Sequence, residues 1–233
     1  MARKKVVNET KNAIIRVAIE MFLERGFTNT SVRAIAAELG ISTGNITFYF
    51  PSKEHLLMVL VEMLCDSQWS MLEQQADEEE TALMAFCMET MTVAVACEQN
   101  EIARDLFLSV FQSELCRNLL RENHVARAER IFSEYCGDWT HQQFRIAEIL
   151  VMGIQYAVII PTDVEIPLSE RIAGALNQIL SIYGVPENNR AEKIRRILAL
   201  DYNDIRQRVR EGSLRYVDQL NMCLLRTLCV FSY

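Results

Sequence analysis

A run of twenty-four residues, Thr30 to Lys53 (TSVRAIAAELGISTGNITFYFPSK), constrains this chain more than any other stretch. It reads as two short helices joined by a tight turn, with a third beginning at its end. Thr30 or Ser31 can cap the first, because a hydroxyl there accepts a bond from an otherwise unpaired backbone N–H. Val32, Ile35, Ala36 and Leu39 recur at helical spacing and mark one buried face. Gly40 suits the left-handed conformation that ends a helix, since it has no Cβ to clash. Ile41 plugs the turn, Ser42 caps the next helix, and that helix runs to about Phe48 with Ile46 inward. Thr43, Gly44, Asn45, Thr47 and Phe48 are then left outward. Two helices joined by a short glycine-containing turn, the second showing polar side chains, match a helix-turn-helix that reads a DNA major groove. The same spacing would also suit a plain helical hairpin, so the flanking residues decide.

Those flanks carry a resemblance. Phe22, Gly26-Phe27, Thr30-Ser31-Val32, Ile35-Ala36, Leu39-Gly40-Ile41-Ser42, Gly44, Ile46, Tyr49-Phe50 and Ser52-Lys53-Glu54 together resemble the tetracycline-repressor (TetR/AcrR) family of bacterial regulators, over roughly residues 8–60. Members commonly have tyrosine where this chain has Thr47, so a contact made by that ring does not carry over. Tyr49 occupies the family's second aromatic or histidine position, and Lys53 its phosphate-binding lysine. The resemblance implies an all-α protein: a three-helix DNA-binding head, placed at residues 1–53, and a helical ligand-binding and dimerisation domain, placed at 54–233.

The overall charge of −7 fits a DNA binder only when it is divided. Residues 1–53 hold eight Lys or Arg against four acids, a net +4, which leaves −11 for the rest. A basic head on an acidic body is the pattern expected of a nucleic-acid-binding module on a larger partner domain. Half the residues are hydrophobic, with only eight Gly and four Pro, which favours packed helices over disorder or a β-sandwich. Seven cysteines at irregular spacing, none in Cys-x-x-Cys, argue against a disulfide framework or zinc site and for buried reduced thiols. Met1 is followed by Ala-Arg-Lys-Lys without an apolar segment, so no signal peptide is expected, and the most apolar run, 149–160, is too short to span a bilayer. The expected location is the cytoplasm, without membrane association.

In chain order, a first helix is expected over 8–25, preceded by a loose basic arm. A long fourth helix follows Pro51 and runs to about residue 75. In the resembling family this helix links head to body. Acidic Asp77 to Glu80 then open a fifth helix, where carboxylates offset the helix dipole. Helices are expected at 79–97, 100–120 and 121–134. The next runs from Asp138 or Thr140 to Ile160 and is apolar nearly all round over 149–160, so it needs cover on every side. A helix over 168–183 carries a stripe of Leu168, Ile172, Leu176, Ile179, Leu180 and Tyr183. The family dimerises through such a pair, so a homodimer through helices near 139–160 and 168–183 is implied, with Ile172 at the interface. Two more helices are expected at 187–211 and 213–231; the first mixes basic and acidic residues as a solvated face does.

No catalytic motif stands out. His55, His124 and His141 have no metal-ligand spacing, and Cys136-x4-His141 is the nearest approach to a nucleophile-base pair. No catalytic residues, metal site or cofactor are expected, and the chain is not expected to be an enzyme. The reading is a ligand-responsive regulator, a repressor of an inverted-repeat operator; the alternative is an architectural or non-specific DNA-binding protein without a ligand. Thr43, Gly44, Asn45, Thr47 and Phe48 are expected to meet base edges, and Ser31, Arg33, Tyr49 and Lys53 the phosphates. A small, mostly apolar effector is expected against a wall of Trp69, Phe86, Phe107, Phe111, Phe144, Met152 and Tyr156. That wall rests on the chain's ten Met, ten Phe, seven Tyr and two Trp and on the pocket the family keeps beside its fourth helix.

Overall fold

The computed structural model describes residues 2–74, 79–160 and 165–200. Among these residues the chain is all-helical: α1 (Ala2–Arg25), α2 (Val32–Leu39), α3 (Thr43–Tyr49), α4 (Lys53–Gln74), α5 (Glu79–Gln99), α6 (Glu101–Gln112), α7 (Glu114–Ile131), α8 (His141–Ile159), α9 (Leu168–Ile182) and α10 (Glu187–Leu198). None of the described helices is long and apolar enough to cross a membrane. Asp77 and Glu78, Cys223 and Cys229, and the expected helix at 213–231 lie outside the described residues.

Two apolar cores form, and they divide the labour of the fold. In the first, Ile14, Ala18 and Phe22 of α1 meet Ile35 of α2, Ile46 of α3 and Leu56, Leu57 and Leu60 of α4, all close to fully buried. Leu106 and Val110 of α6 join the same core, so the head is seated on the body through α6 as well as through α4. The second core packs α5, α7, α8, α9 and α10 around Cys87, Met91, Val95, Phe132, Leu176 and Tyr183. The Phe132 and Tyr183 rings stack at 3.9 Å, with Phe144 and Trp139 beside them. The result is a three-helix head on a larger helical body. α4 leads from one to the other and packs along α7.

Several sequence expectations are corrected. α1 begins at Ala2, so the basic start is helix and not a loose arm; no proline or glycine interrupts residues 2–25. The chain breaks at residue 113 instead of at 120. Ser113 leaves the helical region with ψ 117°, and its side chain accepts from Cys116 N–H to cap α7. α10 stops at Leu198, with Ala199 as its cap, and residues 201–211 of the helix expected over 187–211 lie outside the described residues. Thr140 begins α8 with a capping box: Thr140 Oγ1 accepts from Gln143 N–H, and Thr140 N–H donates to the Gln143 side chain at 2.8 Å. The α9 stripe does not face outward, because Ile172, Leu176, Ile179 and Leu180 are 0% exposed within the single chain. The open apolar face belongs to α8. There Ile146, Ile149 and Leu150 are 53%, 57% and 55% exposed, with Gly153 and Ala157 continuing the strip at helical spacing.

Candidate nucleic-acid interface

The geometry of α2 and α3 follows from their caps. Ser31 Oγ accepts from Ala34 N–H at 3.1 Å and fixes the start of α2, while Thr30 turns inward to donate to Gly26 O at 2.8 Å. At the far end Gly40 takes φ 63°. Its N–H reaches Ala37 O, and Ile41 N–H reaches Ala36 O at 3.0 Å, closing the last carbonyls of α2. Ser42 then caps α3 by accepting from Asn45 N–H at 3.3 Å. Ile46 is the buried residue of α3, which leaves Thr43, Gly44, Asn45, Thr47 and Phe48 exposed on one surface. Phe48 is 78% exposed, far more than an apolar ring keeps for folding alone. Tyr49 meets the Phe48 ring edge-on at 5.0 Å and is half-buried. Thr47 Oγ1 lies 3.3 Å from Gly44 O, and Arg33 is exposed at the start of α2.

Lys53 has a structural task. Its Nζ donates to Phe27 O at 2.7 Å and Thr30 O at 2.9 Å, and sits 3.9 Å from the centre of the Phe27 ring. Burial holds its pKa below the usual lysine value, against the pull of Glu54 and Asp105. An ammonium has three donors, so one remains beyond these two carbonyls.

Sequence reasoning missed Asp105. This carboxylate, on α6, accepts from Thr28 N–H at 2.9 Å and from the Thr28 hydroxyl, clamping the α1–α2 loop to the body. Gly26 makes the approach possible: at φ 86°, a Cβ there would lie 2.6 Å from Asp105 Oδ2. Thr28 and Asp105 are 77 residues apart, and no local pattern announces the pair.

The expected effector wall is divided among several places. Phe111, Met152 and Tyr156 line one cavity of about 260 Å³, together with Arg117 and Arg121. Phe86 lines a second, smaller cavity and packs edge-on against Phe132. Trp69 donates from Nε1 to Asn123 Oδ1 at 2.6 Å. Phe107 is half-buried on α6, and Phe144 lies in the aromatic stack of the second core. Cys136 and His141 do not meet. The thiol donates to Tyr183 O at 3.2 Å, and the imidazole pairs with Glu129 at 2.6 Å. Among the described residues no three His, Cys, Asp or Glu side chains are grouped to hold a metal.

A capped two-helix unit with an open polar face, steadied by a third helix and seated on a helical body, has the geometry of a helix-turn-helix, the motif that places its second helix in a DNA major groove. Residues 14–59 match the family model described as bacterial regulatory proteins, tetR family. Over 56 residues the chain is 43% identical to the uncharacterized HTH-type transcriptional regulator YerO of Bacillus subtilis, covering 24% of this chain and 19% of YerO. Over 64 residues it is 36% identical to the HTH-type transcriptional regulator RutR of Escherichia coli K12, covering 28% of this chain and 30% of RutR. The chain thus matches under a third of the length of these curated relatives. The whole fold is similar to the crystal structure of RolR without ligand, with TM-score 0.55 and 21% identity over 81% of this chain and 96% of that one.

Proposed function

We propose that this chain is a ligand-responsive transcriptional regulator: a repressor that binds an inverted-repeat operator as a homodimer and is released by a small, mostly apolar effector. The observation that carries the reading is the surface of α3, where Thr43, Gly44, Asn45, Thr47 and Phe48 stand exposed around a single buried anchor, Ile46. Thr43, Asn45 and Thr47 are the base-reading groups, and Phe48 offers an apolar surface to thymine methyls. Ser31, Arg33, Tyr49 and the third donor of Lys53 hold phosphates. Residues 1–53 act as the DNA-binding head and 54–233 as the ligand-binding and dimerisation domain, in the cytoplasm.

The open face of α8, with α9 beside it, is the homodimer surface, since Ile146 and Leu150 are more than half exposed on the single chain and line neither cavity. A two-fold pairing there sets two heads on half-sites one or more helical turns apart. Phe111, Met152 and Tyr156 line the apolar part of the effector cavity. α6 ends at that cavity and holds Thr28 through Asp105, so α6 connects the cavity to the head. A tenfold loss of operator affinity needs only about 1.4 kcal/mol of differential binding between the two states. Competition between operator and random duplex at two salt concentrations tests the reading. A regulator keeps a specificity ratio of about 10³ or more, whereas an architectural DNA-binding protein shows no preference.

A further inference from the structure

The smaller cavity of the body, about 10 Å³, lies between α5, α7 and α8 and has room for one water-sized group. Phe86, His124, Arg127, Ile131, Glu148 and Gln155 are on its wall. Two of these carry buried polar atoms that the fold does not satisfy. Glu148 is 2% exposed, and one of its oxygens, Oε1, accepts from the Tyr183 hydroxyl. Its other oxygen, Oε2, has no hydrogen bond; His124 Nδ1 is 3.5 Å away, too far for a good one. Arg127, 7% exposed, spends Nη1 and Nη2 on the Glu89 carboxylate at 3.2 and 2.6 Å, and its Nε is buried without a partner.

Buried polar atoms are nearly always paired, so this acceptor and this donor, on residues of one cavity, specify a complement. A group that suits both must donate to Glu148 and accept from Arg127. A hydroxyl does both. An ammonium cannot accept, and a carboxylate cannot donate and would face Glu148.

We propose that this cavity is the polar end of the effector site and takes a hydroxyl-bearing small molecule, with its O–H on Glu148 Oε2 and its oxygen on Arg127 Nε. The inference rests on the reading of the body as an effector-binding domain. The carbon that bears this hydroxyl packs on Phe86 and Ile131, on the same cavity wall. The cavity as it stands holds one water-sized group, so seating the molecule requires Phe86 and Gln155, both half-buried on its wall, to move.

Phenol and toluene, nearly equal in shape, are the probes, and their dissociation constants are read by NMR titration of the full chain. Phenol should bind roughly tenfold or more tightly than toluene, the worth of a hydrogen bond to a buried charged group. In Glu148→Gln the Tyr183 hydroxyl keeps the amide oxygen, so an N–H donor replaces Oε2 and the phenol preference should fall to about threefold or less. Thermal unfolding checks that this variant folds, and the wild-type comparison stands without it. Equal binding of the two probes, or binding of neither, overturns the proposal and leaves the cavity to a resident water. If phenol binds with this preference but leaves operator affinity unchanged, the site stands and the switch proposed above fails.

Discussion

Lys53 separates a structural role from a DNA-contacting one, because its ammonium serves both. In Lys53→Met the bonds to Phe27 O and Thr30 O are lost, along with the contact over the Phe27 ring. A hydrogen bond from a charged group contributes about 1.5–3 kcal/mol when buried, and a cation over an aromatic face about 0.5–1 kcal/mol when exposed. Lys53 is half-buried and the loop beside it is exposed at Thr28 and Asn29, so water can reach the freed carbonyls. Rehydration brings the net loss below the roughly 3.5 kcal/mol that the smallest of these values would sum to, to about 2–3 kcal/mol. For a domain of this size that lowers Tm by roughly 4–12 °C. The third donor adds a separate signature: the slope of log affinity against log salt should fall by about one unit for every DNA sequence alike. Calorimetry and salt-dependent operator titration read the two effects independently. A Tm within about 1 °C of wild type would refute the structural role, and an unchanged salt slope would refute the phosphate contact.

Leu150→Glu should convert the dimer to monomer in light scattering while leaving the unfolding midpoint of the monomer almost unchanged, because the side chain is already 55% exposed; a folded dimer would remove α8 from the interface. Ile172→Glu, by contrast, places a charge at a 0% exposed core position and should unfold the body, so it does not report on assembly. Asp105→Ala should loosen the α1–α2 loop, seen as faster amide exchange at Thr28, and weaken the response of operator affinity to effector; unaltered exchange would show that the clamp holds nothing. Burial pushes the thiols of Cys65 and Cys136 up to about 11 and those of Cys87 and Cys97 up to about 12. Native protein at pH 8 should therefore leave these four unmodified by a maleimide in peptide mapping, and rapid labelling of any of them would contradict its burial.

The head was readable because its local rules agree: Ser31 and Ser42 at the caps, Gly40 in the left-handed position, and Ile35 and Ile46 as the inward residues of their two helices. Nothing comparable marks the body. Residues 100–120 read as one helix because neither proline nor glycine stands at 113, yet Ser113 both ends α6 and caps α7. The stripe on α9 is legible as apolar, but periodicity cannot tell whether such a stripe meets its own chain or a partner. It meets its own chain, and the helix that looked greasy on every side keeps the exposed face. Phe144 shows the same limit among the expected effector residues. An aromatic of the right kind and spacing stacks into the core beside Tyr183, while Phe111 and Tyr156 reach a cavity. Contacts such as Asp105 with Thr28 and Glu148 with Tyr183 join distant segments and exist only once the helices are docked.

The central claim is that the exposed face of α3 reads base sequence, and Asn45 is its most informative residue because an amide can pair with an adenine edge through two bonds. Selection of bound duplexes from a random pool by wild type and by Asn45→Ala tests it most directly. The account predicts that the variant still binds, with discrimination lost by about 1–3 kcal/mol at one position of each half-site and unchanged elsewhere. A variant that selects the same sequences with the same relative affinities would contradict the assignment of this face to DNA.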